Sequence, residues 1–125
     1  MSLAVYNIAR SKVRKWEGGY NKGFTGSGET YRGIDRLYNK SWPGWAIIDT
    51  IPNKKLNQFF NNPALEKSVD DWHYTKYWIP SRAAELSNED LSIFYFDFYF
   101  HKPLQARVAM NKAAKEINPS VKTNE

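Results

Sequence analysis

The sequence predicts a mainly α-helical domain with some β character, in which a glycine-rich loop or short hairpin follows the first helix. Two observations carry this. Apolar side chains recur at helical spacing in several segments, and all the glycine lies between Gly18 and Gly44.

The first helix is expected over 4–16. Val5, Ile8, Ala9, Val13 and Trp16 form one face, and Asn7, Arg10, Arg14 and Lys15 the other. Gly18 and Gly19 stop it, which leaves Glu17 at its C-terminal end. Residues 18–33 read as a loop or hairpin, with a short strand from Glu29 to Gly33. Trp42-Pro43-Gly44-Trp45 opens the next element, and Pro52 ends or kinks it. Asn62 and Pro63 start a long helix, Asn as cap and Pro in the first turn. Leu65, Val69, Trp72 and Ile79 give its apolar face, up to Pro80. Ser87-Asn88-Glu89-Asp90 reads as a capping box. It precedes Leu91, Ile93, Phe94, Phe96 and Phe98, a helix apolar on nearly every side and hence expected to be buried and central. Pro103 begins a last helix to about Ile117. Without repeat or linker, residues 1–118 read as a single domain and 119–125 as a tail.

The bulk numbers bound the function. At 125 residues the chain holds one modest core. Aromatics make up 16%, enough both to fill that core and to provide platforms for sugars or bases. The net charge of +5 favours polyanionic partners such as nucleic acid or an anionic envelope. Yet no recognition-helix or stacking-sheet signature supports nucleic acid, and the Lys and Arg residues are spread over the whole chain. The absence of Cys excludes disulfides, thiolate metal sites and Cys nucleophiles. His73 and His101 are too few and too isolated to suggest a metal centre, and no cofactor is expected. No apolar run is long enough to span a membrane. The N-terminus lacks the apolar stretch of a signal peptide, so action at a cell wall would need a removed leader or release by another route such as lysis.

The strongest chemical signal is Trp16-Glu17-Gly18-Gly19-Tyr20 followed by Gly28-Glu29-Thr30-Tyr31-Arg32-Gly33-Ile34. A carboxylate at a helix C-terminus meets the negative end of the helix dipole, which disfavours its charged form. Glycoside hydrolysis needs an acid of that kind, and a Glu beside a Trp in an apolar pocket is one way to make it. A solvent-exposed Glu near a helix end is the plain alternative.

Glu17-Gly18-Gly19-Tyr20, a loop, then Gly-x-Thr-x-x-Gly-Ile resembles glycoside hydrolase family 108, the lysozyme-like N-acetylmuramidases, some of them secretion activators or phage endolysins. Ser27-Gly28-Glu29-Thr30 corresponds to the family's Gly-Gly-x-Thr, and Trp42-Pro43-Gly44-Trp45 to a following Trp-x-Gly-Trp. Tyr77-Trp78 and Phe96-Asp97-Phe98 resemble later landmarks. The resemblance implies a lysozyme-like fold, with Glu17 and Thr30 as catalytic residues. The surrounding loop then supplies Tyr20, Thr25, Ser27, Gly28 and Tyr31 to a peptidoglycan glycan strand.

Two departures stand out. The loop Asp of the family falls at Phe24-Thr25-Gly26, where no carboxylate stands. Thr25 and Thr30 can position a water by hydrogen bonds but cannot act as its base. Glu29, Asp35, Asp49 and Asp97 are the candidate substitutes, with Glu29 nearest in sequence; on a strand Glu29 and Thr30 would face opposite ways. Family members also continue past the Phe-Asp-Phe landmark into a wall-binding segment, so this chain reads as a partial or shortened member. Trp45, Trp72 and Tyr77 are expected in the core, and Trp42 and Trp78 in core or cleft. Two functions follow: a muramidase acting through Glu17, or a weak or inactive wall-binding, secretion-linked protein on the same scaffold.

Overall fold

The computed structural model describes residues 3–23, 28–120 and 122. The chain is mainly helical, with one small sheet among the described residues, as the sequence predicts. Its contacts divide it into two units. One holds the chain up to Val13 together with everything from Tyr74 on; the other spans Arg14–His73. Each has its own apolar core.

In the first unit, α1 (Leu3–Arg14) buries Val5, Tyr6, Ala9 and Val13. Two expectations for this helix change. Ile8 is half-exposed, whereas Arg10, placed on the polar face, is buried. The buried stripe therefore runs through Tyr6 and Arg10, a four-residue step. The segment Tyr74–Trp78 is π-helical. Its wider turn resets the register, so that Trp78 enters the core and Ile79 points outward at 55% exposure, although helical spacing assigned Ile79 to the apolar face. Then come α4 (Ile79–Ser81) and a single 3-10 turn, Ala83–Glu85.

α5 (Glu89–His101) is capped by Asn88, whose Oδ1 accepts the Leu91 N–H at 2.9 Å. The cap thus falls one residue after the predicted Ser87. α5 is not buried all round. It sinks Ser92, Tyr95, Phe96 and Tyr99 and leaves Phe94 67% exposed, because one unit of this size covers only one face of a helix. Tyr6 meets Trp78 and Phe96 at centroid distances of 5.4 and 6.1 Å, at the centre of this core. α6 (Pro103–Ile117) starts at Pro103 as expected.

The second unit begins with the turn that follows α1. β1 (Thr30–Tyr31) and β2 (Ile34–Asp35) form an antiparallel hairpin with Thr30 opposite Asp35 and Tyr31 opposite Ile34. Its two turn residues, Arg32 and Gly33, have φ of 47° and 80°. Two successive positive φ values are the signature of a type I′ turn, whose twist matches that of the strands. α2 (Gly44–Ile48) and α3 (Pro63–His73) follow. Asn62 Oδ1 accepts the Leu65 N–H at 3.0 Å, the predicted cap. Trp42, Trp45, Tyr31, Ile34, Leu65 and Val69 are buried together. The Trp45 and Trp72 indole N–H groups both donate to Asn39, one to its carbonyl and one to its side chain.

Candidate active site

The helical hydrogen bonds of α1 stop at Arg14, and a single turn places the Glu17 N–H on the Arg14 carbonyl at 3.1 Å. The chain then runs extended. Tyr20 pairs with the segment around Gln58: its N–H donates to the Gln58 carbonyl at 2.9 Å, and its carbonyl accepts from Asn57 at 2.7 Å. Gly19 is required for that approach. A Cβ on it would stand 2.5 Å from the Asn57 carbonyl carbon and oxygen. The next strand closes over this segment through Asn21 and Thr30, whose backbones exchange hydrogen bonds at 2.9 and 2.8 Å. The Arg32 N–H reaches back to the Gly18 carbonyl at 2.9 Å. The hairpin turn is thereby fastened beside Glu17.

None of the Glu17 side-chain surface is exposed. The apolar pocket beside Trp16 is not found: Trp16 lies beyond the last helical residue, so it leaves the helical phase, and it is 63% exposed with Lys15 over its ring. Glu17 is instead held by polar side chains. His73 Nε2 lies 2.9 Å from Oε1, and Arg32 Nη1 lies 3.5 Å from Oε2. His73, the last residue of α3, is almost fully buried, and its Nε2 also lies 3.1 Å from the Arg32 carbonyl oxygen. Trp72 sets the imidazole edge-on at a centroid distance of 4.9 Å.

A second tier surrounds this pair. Glu66 stands 3.4 Å from Arg32 Nε and 2.5 Å from Arg14, and it accepts the Tyr31 hydroxyl at 3.3 Å. Arg14 also reaches Asp70 at 3.3 Å. The Arg32 guanidinium lies over the Phe59 ring at 4.5 Å. Burial opposes its charge, but Glu66, Tyr31 and Glu17 outweigh that, and Arg32 is held above its ordinary pKa.

The other nominated residues separate into distinct places. Tyr31 is fully buried; its hydroxyl accepts the Phe60 N–H at 3.1 Å, and burial raises its pKa. Tyr20 is buried against Phe60 and donates to Glu29 Oε2 at 2.6 Å. Burial first, and the Glu29 carboxylate second, push the Tyr20 phenol up to about 12. Both rings therefore build the wall from within. Thr30 is half-buried in β1, and Gly28 adopts a positive φ of 77°. Thr25 and Ser27 lie outside the described residues.

The candidate second carboxylates each have partners of their own. Glu29 accepts from Arg36 at 2.8 Å as well as from Tyr20. Asp49 takes both arms of Arg36, at 2.7 and 2.9 Å, which lowers its pKa and raises that of Arg36. Asp35 caps the Leu37 N–H at 2.7 Å. Asp97, in the other unit, lies 3.3 Å from His101.

The family model described as Glycosyl hydrolase 108 matches residues 10–102. The chain belongs to that family. No curated protein and no solved structure matches it. Membership in glycosyl hydrolase 108 makes the chain a member of a glycosidase family, and the matched span takes in Glu17, Arg32, Glu66 and His73 together.

Sequence reasoning left His73 and Glu66 without a function and quoted Arg32 only as part of a motif. Nothing in their spacing flags them. The single local sign is that Arg32 precedes Gly33 in a turn that demands positive φ from both residues, a position an Arg occupies only at a cost of about 1 kcal/mol or more.

Proposed function

We propose that this chain is an N-acetylmuramidase that hydrolyses the bond between N-acetylmuramic acid and N-acetylglucosamine in peptidoglycan, with Glu17 as the general acid. The observation that carries this reading is the buried Glu17 carboxyl, held by His73 and Arg32 within the family match. A buried carboxyl group fixed at one place can deliver a proton at a defined point, as protonation of a leaving glycosidic oxygen requires.

Catalysis then proceeds in two linked movements. Arg32, whose contact with Oε2 is long at 3.5 Å, turns aside as the glycan strand settles, and Glu17 gives its proton to the glycosidic oxygen. The glycosidic C–O bond breaks, and water, oriented by Thr30 and Thr25 in place of the missing loop Asp, bonds to the anomeric carbon and releases a proton to solvent, from which the Glu17 carboxyl regains the one it gave. Gly28 and Ser27 let the glycan backbone approach, and Tyr20 and Tyr31 hold the wall behind them. The +5 charge favours an anionic wall over a neutral polysaccharide.

The second reading is a slow or inactive wall-binding protein, and one observation favours it: the Glu17 side chain is fully covered. Digestion of purified peptidoglycan followed by mass spectrometry of the products separates the two. Muramidase action leaves N-acetylmuramic acid at the new reducing ends. Products ending in N-acetylglucosamine would contradict the bond assignment, and binding without products would favour the second reading.

A further inference from the structure

Several cations of the second unit sit against carboxylates. Arg14 meets Glu66 and Asp70, Arg32 meets Glu66 and Glu17, Arg36 meets Glu29 and Asp49, and Lys67 meets Asp71. Lys22, Lys40 and Lys54 differ: among the described residues none of the three has an ion pair. They are gathered at one place. Lys22 and Lys54 line a cavity of about 450 Å³ with Tyr20 and the 69%-exposed Leu56. Lys22 and Lys40 line a neighbouring cavity of about 500 Å³ with Gly28, which adds no side chain. Lys54 is held in place: its Nζ donates to the Ile51 carbonyl at 2.9 Å and lies 5.7 Å from the centre of the Tyr20 ring. The acids at hand are already engaged. Glu29 accepts from Tyr20 and Arg36, and Asp49, close enough to Lys54 to feel its charge, takes both arms of Arg36.

We infer that these two cavities form a subsite for the carboxylates of the stem peptides that branch from the glycan strand. Their placement supports this. Gly18 pairs with Arg32 beside Glu17, and Asn21 pairs with Thr30 farther along the same ladder. A glycan strand laid over Glu17 along this ladder runs past Lys22. The acidic groups of intact peptidoglycan stand on its peptides, because the lactyl carboxyl of the sugar is tied up in the amide that holds each peptide. Lysine ammoniums suit such flexible substituents, since they attract a carboxylate as point charges on mobile stems without imposing one fixed geometry. Leu56 gives the alanine methyl groups of a stem peptide an apolar wall. This inference rests on the reading of the chain as acting on peptidoglycan.

The test measures the affinity of the intact protein for two soluble peptidoglycan fragments, one natural and one with its stem carboxyls converted to methylamides. The wild type should bind the natural fragment about fivefold more tightly, the yield of two solvent-exposed charge contacts, and added salt should narrow the ratio. Lys22→Gln/Lys54→Gln should bind both fragments alike. Lys54 also braces the Tyr20 ring, so if the double variant fails to fold, Lys22→Gln at its exposed position decides, with the ratio reduced to about twofold. Equal wild-type affinity for the two fragments, or a ratio unchanged in either variant, would overturn the inference. Glu17→Gln separates the two readings: it should release no reducing ends yet keep the fivefold ratio. Reducing-end release by Glu17→Gln would overturn the reading of the acid, while the affinity ratio alone decides the lysines. Binding of neither fragment would overturn both.

Discussion

Replacing Arg32 by Met tests how the buried carboxyl is balanced. Met keeps the unbranched shape and removes only the charge and the donors. With Glu17 in its ionised form, two unit charges 3.5 Å apart attract by about 5 kcal/mol at an effective dielectric constant of about 20, and the cost of holding both out of water offsets much of this. Removing one partner leaves the other buried and uncompensated, so Arg32→Met should cost about 3 kcal/mol in a wild-type background. In a Glu17→Gln background the orphaned charge is absent. The contacts with Glu66, Tyr31 and Phe59 are then lost, about 1 kcal/mol in all. The coupling between the two sites should therefore be about 2 kcal/mol, within the range for residues in direct contact. Urea unfolding followed by tryptophan fluorescence gives the four stabilities of the cycle. An equal loss on Arg32→Met in both backgrounds would refute the claim that Arg32 compensates Glu17.

Two further outcomes follow from the site's frame. Gly19→Ala forces a Cβ to within 2.5 Å of the Asn57 backbone, so it should cost about 1–3 kcal/mol in urea unfolding; a neutral substitution would mean that the Tyr20–Gln58 pairing is not held. Tyr20, raised to about 12, should ionise later than an ordinary tyrosine in an alkaline absorbance titration. Because its folded pKa lies above the unfolded value of about 10, its stabilising contribution is complete below pH ~10 and fades as pH climbs toward ~12. Tyr20→Phe should show less alkaline loss of stability over that window, and an ordinary titration midpoint for Tyr20 would refute its coupling to Glu29.

How much of this was legible in the sequence depends on distance along the chain. Local devices were readable. The Asn62-Pro63 start, the Pro103 start and the glycine stop that sets Glu17 beyond α1 all act within a few residues. Side chains whose surroundings come from elsewhere were not. Arg10 looks like a polar-face residue yet is buried, and Ile79 looks like core yet is exposed because a π-helical stretch precedes it. The motif around Glu17 located the site, but its partners were hidden. His73 sits at the end of a different helix, and only the folding of Arg14–His73 into one unit brings it to Glu17. The apolar setting weighed for Glu17 changed for a related reason: Trp16 lies past the helical hydrogen bonds of α1 and is largely exposed, while the polar groups of Arg32 and His73 stand beside the carboxyl.

The most direct test of the account is the rate of reducing-end release from purified peptidoglycan by the wild-type protein and by Glu17→Gln at equal, folded concentration. The account predicts measurable release by the wild type and a drop of at least about 100-fold on this single substitution. Equal rates for the two proteins would contradict it.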